Sequence, residues 1–361
     1  MGYVLIGTEA SQFSGKVRAF LRWKGADFSE QPATPEIYRD VIEPRIGYPV
    51  IPVLLTDTGE AIQDSAEIID TVDRSISGPS AYPAGPVQAF VARLLELYAD
   101  EWLIIPAMHY RWSHDDSWIV QEFGRVAAPN ASVDAQKEIG EAIAKPVRDA
   151  VPRYGVSDET MSGIEVHFEG FLADFSAHLR RYAFTLGDRP SLGDFALFGA
   201  LYGPIYRDPW AGDRMRKLAP AVAGWIERMQ AARAGPETLL ADDAVPETLH
   251  PILKRQLGEQ LPVLADTIRA LQEWMKAQPN GARIKRSLGT QEFVIGGRRG
   301  ARTIFSFPLW RLQRVQDHYL ALTGPDRARA DALLADVGGR EFAALKLPVR
   351  IEQRDYRLFL G

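Results

Sequence analysis

Two hydrophobic periods alternate over the first eighty residues. "YVLIG" (3–7) is a compact apolar run ending at glycine, and it predicts a buried strand. Over 16–24, Val17, Phe20, Leu21 and Trp23 fall near helical spacing until Gly25 stops the pattern, which predicts a helix. Residues 26–33 predict a second strand and 35–47 a short helix or turn. Residues 49–62 predict a hairpin across Asp57-Thr58-Gly59, and 64–76 an amphipathic helix with Ile68, Ile69 and Val72 inward. The order β-α-β-α-β-β-α is that of a small α/β layer domain.

The Pro- and Gly-rich stretch 77–86 reads as a linker. Beyond it, nearly every segment to about 235 is helical in pattern. Residues 87–112 predict one long helix bent at Pro106, and 132–148, 157–182, 190–206 and 220–233 predict further helices. The remainder is mixed: a helix over 262–278, a hairpin over 291–307, a helix over 308–322 opening on Pro308, and one strand within 347–360. The expected fold class is α/β plus all-α with an extra α+β C-terminal segment, divided at 1–80, 86–235 and 236–361.

Composition narrows the possible functions. The 361 residues are 46% hydrophobic and 25% charged, with a net charge of −5, ordinary for a soluble globular protein. No basic stripe points to nucleic acid. No apolar run approaches the ~20 residues of a membrane span, and "MGYVLIGTEAS" lacks the build of a secretory signal. There is no cysteine, which excludes disulfides, thiolate metal sites and a thiol nucleophile of the protein's own. Any sulfur chemistry must use a ligand's sulfur. His114 with Asp115 and Asp116 is too small and local a set to predict a metal site.

Four features carry candidate chemistry. Ser11 precedes the first helix, where it either caps the helix or donates a hydrogen bond to an anion at the positive helix end. Pro52 in "VIPVL" is either an edge-strand proline or, with a cis bond, a way of turning the Ile51 backbone out towards an extended ligand. Asp64-Ser65 stands at a turn-to-helix junction that either caps that helix or holds an amino-acid head group. Ser191 and Asp194 in "SLGDFAL" form a capping box, a structural device.

In this order and spacing, the features resemble the cytosolic glutathione transferase superfamily over about residues 3–235. "SQFSGKVRAFLRWKGADFSE" is similar to the first loop and helix of its serine-type, tau-like classes. "VIPVL", "QDSAEII", "SLGDFAL" and "APAVAGWIERM" match its later elements. Gln12 departs from the usual proline, Asp64 from the commoner glutamate and Glu67 from the usual alanine.

The resemblance implies a thioredoxin-like N-terminal domain, an all-helical second domain, and glutathione as co-substrate. Ser11 would be catalytic, and Ile51, Pro52, Asp64 and Ser65 would bind glutathione. A small hydrophobic electrophile would meet a pocket including Phe13, His109, Tyr110 and Trp112. Lys16 and Arg18 either raise the local positive potential or face solvent. A cytoplasmic homodimer without nucleic-acid or membrane partners is expected. Alternatives are a non-catalytic binding or regulatory protein of the same fold, or ether cleavage, isomerisation or peroxide reduction at the same site. Residues 236–361 match no module, and their role is open.

Overall fold

The computed structural model describes residues 2–361. The chain opens with β1 (Tyr3–Gly7), α1 (Gln12–Lys24), β2 (Phe28–Pro32), α2 (Pro35–Ile37), α3 (Glu43–Ile46), β3 (Val53–Leu55), β4 (Ala61–Gln63) and α4 (Ser65–Ser75). Helices follow: α5 (Pro86–Glu101), α6 (Ile104–Trp112), α7 (Ser117–Ala127), α8 (Val133–Arg148), α9 (Met161–Leu179), α10 (Leu192–Leu201), α11 (Pro209–Leu218) and α12 (Pro220–Ala231). The last third holds α13 (His250–Met275), β5 (Ser287–Ile295), β6 (Arg298–Phe305), α14 (Phe307–Ala321), α15 (Gly324–Asp336), β7 (Ile351–Arg354) and β8 (Arg357–Leu360). This is the expected run of α/β, then helical, then mixed elements. It folds into two compact units, one of residues 1–81, 107–151 and 194–238, the other of 82–106, 152–193 and 239–361.

The first unit is built on a sheet of order β2-β1-β3-β4. β1 runs parallel to β2 and antiparallel to β3, and β4 is antiparallel to β3, a thioredoxin-like layout. The inner face of α1 carries Phe20 and Trp23, whose rings lie 5.6 and 5.3 Å from that of Phe195. The last residue of α1, Lys24, is buried and closes this layer: its ammonium meets Asp73 of α4 at 2.9 Å and the Pro79 carbonyl at 2.9 Å. Helices α7 and α8 approach so closely that a Cβ on Gly124 would sit 1.6 Å from the Gln136 carbonyl oxygen, and one on Gly140 1.9 Å from that of Val120. Only glycine permits that spacing.

The second unit surrounds α5. Gly85, at the N-cap of α5, has no side chain to offer, and Asp243 accepts the Val87 and Gln88 N–H groups at 2.9 and 2.8 Å instead. From α13, Gln256 and Gln260 donate to the α5 carbonyls of Leu94 and Leu97 at 2.7 and 3.1 Å. Phe90 packs against Tyr319 and Phe342, with ring centroids 5.2 and 5.6 Å apart. The 291–307 hairpin appears as β5–β6, turning at Gly296-Gly297 with φ of 53° and 77°.

Several expectations change. Residues 87–112 are two helices, because the chain turns at Trp102-Leu103. Pro106 is only the third residue of α6, where a missing N–H has no intrahelical acceptor to lose. The 262–278 helix starts at His250 and runs through Pro262. Ile252, Leu253, Leu257, Leu261, Leu264 and Ile268 keep one buried stripe across the proline, and burial outweighs the lost bond. Residues 347–360 form two strands, β7 and β8, about a turn at Asp355-Tyr356. The 190–206 helix ends at Leu201 and continues as a π turn over 202–206. Helices α7 and α11 fall within the stretch that reads as broadly helical but have no individual prediction, and α15 has none.

Candidate functional site

Sheet register gathers three expected positions at one end of the first unit. Ile6 lies opposite Val53, and Val53 opposite Gln63. The chain leaving β1 towards Ser11, the chain entering β3 through Ile51-Pro52, and the chain leaving β4 into Asp64-Ser65 therefore emerge together.

Ser11 is the N-cap of α1, with extended backbone (φ −84°, ψ 127°) and Oγ accepting the Ser14 N–H at 3.2 Å. A hydroxyl that accepts through a lone pair still has its own proton to donate. No acceptor for that proton occurs among the described residues. Capping and donation to an anion are thus compatible on one side chain. The first turn of α1 contains no acidic residue to offset its positive end. Ser14 is fully buried, and its Oγ accepts the Thr8 N–H at 3.4 Å.

The Ile51–Pro52 bond is cis, with Ile51 half-buried and Pro52 buried. Asp64 has φ of 83° and ψ of 139°, a conformation non-glycine residues seldom adopt, holding roughly 1–3 kcal/mol of strain. Its Oδ1 accepts the Ala66 N–H at 2.8 Å, capping α4. Ser65, the first residue of that helix, is buried.

The residues expected to line a pocket have different surroundings. Phe13 is half-buried in the first turn of α1. His109 is buried, its Nδ1 3.0 Å from the Ser113 hydroxyl. The Tyr110 ring lies 5.7 Å from that of Trp210, against which His114 stacks at 3.6 Å. Trp112 packs instead beside Phe123 at 6.2 Å and under the Arg148 guanidinium at 5.6 Å. Lys16 and Arg18 do not face solvent, because both are buried. Arg18 Nε lies 2.5 Å from Glu30 and 3.3 Å from Glu9. The Tyr202 hydroxyl donates to Glu9 at 3.0 Å; burial first, and then that carboxylate, push its pKa up to about 12.

Arg111 has a role that its sequence neighbourhood does not announce. Its Nε and Nη2 meet the two Asp208 carboxylate oxygens at 2.7 Å each. Its Nη1 donates to the Ala10 carbonyl at 2.9 Å and its Nη2 to that of Gly203 at 2.7 Å. Burial raises the Asp208 carboxyl above its ordinary range, while Arg111 pulls it back down. No local signal reveals this clamp, because its partners lie 92 to 101 residues away in sequence.

A model of the glutathione S-transferase N-terminal domain matches residues 5–80, and one of the C-terminal domain matches residues 148–228. No curated protein of similar sequence was found. Among solved structures, the β-etherase LigF from Sphingobium sp. strain SYK-6 is 20% identical, over 65% of this chain and 97% of its own, with a TM-score of 0.49. The tau class glutathione S-transferase from mango, Mangifera indica, is 19% identical, over 69% of this chain and 94% of its own, with a TM-score of 0.40. A glutathione transferase family member from Pseudomonas fluorescens Pf-5, with bound glutathione, is 18% identical, over 64% of this chain and 99% of its own, with a TM-score of 0.38. Residues 5–80 and 148–228 thus match the N- and C-terminal domains of glutathione S-transferases, in that order along the chain.

Proposed function

We propose that this protein binds glutathione at the gathered sheet end and activates its thiol for attack on a hydrophobic electrophile. The Ile51 backbone pairs with the cysteinyl backbone of glutathione beside Pro52, and Asp64 and Ser65 hold its γ-glutamyl head. Ser11 donates its O–H to the sulfur. A free thiol with a pKa near ~8.5 is only a few per cent ionised at neutral pH. A hydroxyl donor and an uncompensated helix N-terminus both favour the thiolate. The thiol proton leaves to solvent, the thiolate forms a C–S bond, and the leaving group departs with its bonding pair. The electrophile meets Phe13, half-buried in the first turn of α1, whereas His109, Tyr110 and Trp112 are buried and serve packing.

The observation that carries this reading is the Ser11 hydroxyl, which caps α1 through a lone pair while its proton has no acceptor among the described residues. The test is calorimetry with glutathione, followed by ultraviolet titration of the bound thiol. Binding with a thiol that ionises below its free pKa supports the reading. No heat at millimolar glutathione favours a non-catalytic protein of this fold. The domain division at 1–80, 86–235 and 236–361 and the cytoplasmic setting belong to the same proposal. So does the homodimer, which light scattering tests.

A further inference from the structure

Two residues meet the backbone at Ala10–Ser11. The Arg111 Nη1 donates to the Ala10 carbonyl at 2.9 Å. At Gly203 a Cβ would lie 3.1 Å from the Ala10 oxygen and from the Ser11 carbonyl carbon, and 3.2 Å from the Ser11 oxygen. Other holds on the Thr8–Ser11 loop are the Gly15 N–H to the Ser11 carbonyl at 2.9 Å, the Tyr202 hydroxyl to the Glu9 carboxylate at 3.0 Å, the Ser11 N–H to the Thr8 carbonyl at 3.3 Å and the Thr8 N–H to Ser14 Oγ at 3.4 Å. Of the bonds to the loop backbone, the arginine's is charge-assisted and comes from 101 residues away, so it ties the loop to another helix.

The clamp itself is rigid. Asp208 fixes the guanidinium plane with two bonds of 2.7 Å, and the Gly203 carbonyl takes a further donor at 2.7 Å. Arg111 and Asp208 are both buried, 9% and 7% exposed. The bidentate carboxylate neutralises the guanidinium, so the arginine reaches Ser11 by placement and not as a free charge.

We propose that Arg111 is a positioning residue: by holding the Ala10 carbonyl against the space that Gly203 leaves open, it fixes where the Ser11 hydroxyl stands at the head of α1. This rests on the reading that Ser11 donates to the glutathione thiolate, and it adds a residue that the sequence did not assign. Displacing a reacting group by about 1 Å is enough to lose orders of magnitude in rate.

The experiment titrates the bound glutathione thiol by its thiolate absorbance and measures S-methylglutathione binding, which has no thiol to ionise. Arg111→Met should cut the thiolate fraction at neutral pH about tenfold, by misplacement of the donor, and leave S-methylglutathione affinity unchanged. Arg111→Lys keeps the charge without the fork, and should recover only part of the loss. Lys24→Met breaks an equally buried ion pair at the other end of α1; it should lower the melting temperature and leave the titration where it was. In Ser11→Ala/Arg111→Met, the second substitution should add nothing to the first.

The proposal is overturned if Arg111→Met titrates like wild type while Ser11→Ala does not, or if the two effects add in the double variant. If Arg111→Met does not fold, Arg111→Lys and Asp208→Asn decide, and a wild-type titration in both overturns it equally. Should Ser11→Ala alone leave the titration unmoved, the Ser11 reading fails, and the Arg111 proposal, which acts through it, fails with it. Failure of the arginine variants alone leaves the Ser11 reading standing.

Discussion

Ser11→Gly and Ser11→Ala should differ in stability and agree in chemistry. The wild-type hydroxyl accepts the Ser14 N–H at 3.2 Å, and its own proton is left to donate. Alanine at an N-cap loses about 1 kcal/mol, whereas glycine loses only a few tenths. In a chain of this size that is a melting-temperature difference of roughly 2 °C between the two variants. Neither variant has a hydroxyl. A hydrogen bond to a charged group contributes about 1.5–3 kcal/mol. At ~1.36 kcal/mol per pH unit, both should shift ionisation of bound glutathione upward by about 1–2 units, or ~10–100-fold in thiolate at neutral pH. Ser11→Thr keeps acceptor and donor, and should stay near wild type in both measurements. Thermal melting and thiolate absorbance against pH read the two effects separately. The reasoning is refuted if Ser11→Gly titrates like wild type, or if the shifts in alanine and glycine follow their stabilities.

Three further predictions follow from single contacts. Asp64→Asn retains the acceptor for the Ala66 N–H and tolerates the positive φ; it should weaken glutathione binding about 10–100-fold by calorimetry, the value of a charge-assisted bond, with an unchanged melting temperature. Burial holds His178 at a pKa of about 4, with its Nε2 donating to the Phe184 carbonyl at 3.0 Å and its Nδ1 accepting from the Thr248 hydroxyl at 2.8 Å. Above an ordinary histidine pKa of ~6.5 both folded and unfolded states are neutral there. As pH falls from about 6.5 to 4 only the unfolded chain takes the proton, so up to ~3 kcal/mol of stability should be lost, and urea unfolding of His178→Gln should lack that component. Asp243→Ala removes the acceptor for two α5 N–H groups and should destabilise by about 1–2 kcal/mol in urea; a change below a few tenths would mean that solvent replaces the cap without loss.

The first eighty residues were legible because their signals are local. β1 and β2, the 53–63 hairpin and α4 form where period and turn residues placed them, and α1 begins where Ser11 caps it. Capping also obscured the chemistry, since the same serine serves a helix end and an anion equally well. Helix α7 had no individual prediction because its burial depends on α8: Gly124 meets the backbone of Gln136, and neither glycine of the pair announces that contact in sequence. Of the two readings of Lys16 and Arg18, the solvent-facing one fails because packing buries both and supplies Glu30 and Glu9 as partners for Arg18.

By itself, the sequence determined the alternation of strand and helix, the absence of protein sulfur, and the positions Ser11, Pro52, Asp64 and Ser65. Those properties are set by period, composition and residues adjacent in the chain. Only the tertiary structure decided that the β1–β3–β4 register brings these positions to one sheet end. It alone decided that Arg111, about a hundred residues from Ala10, grips the peptide before Ser11, and that Asp243 caps a helix starting more than 150 residues earlier. A hydrogen bond between distant residues depends on the folded path of everything between them, and no local pattern encodes that path.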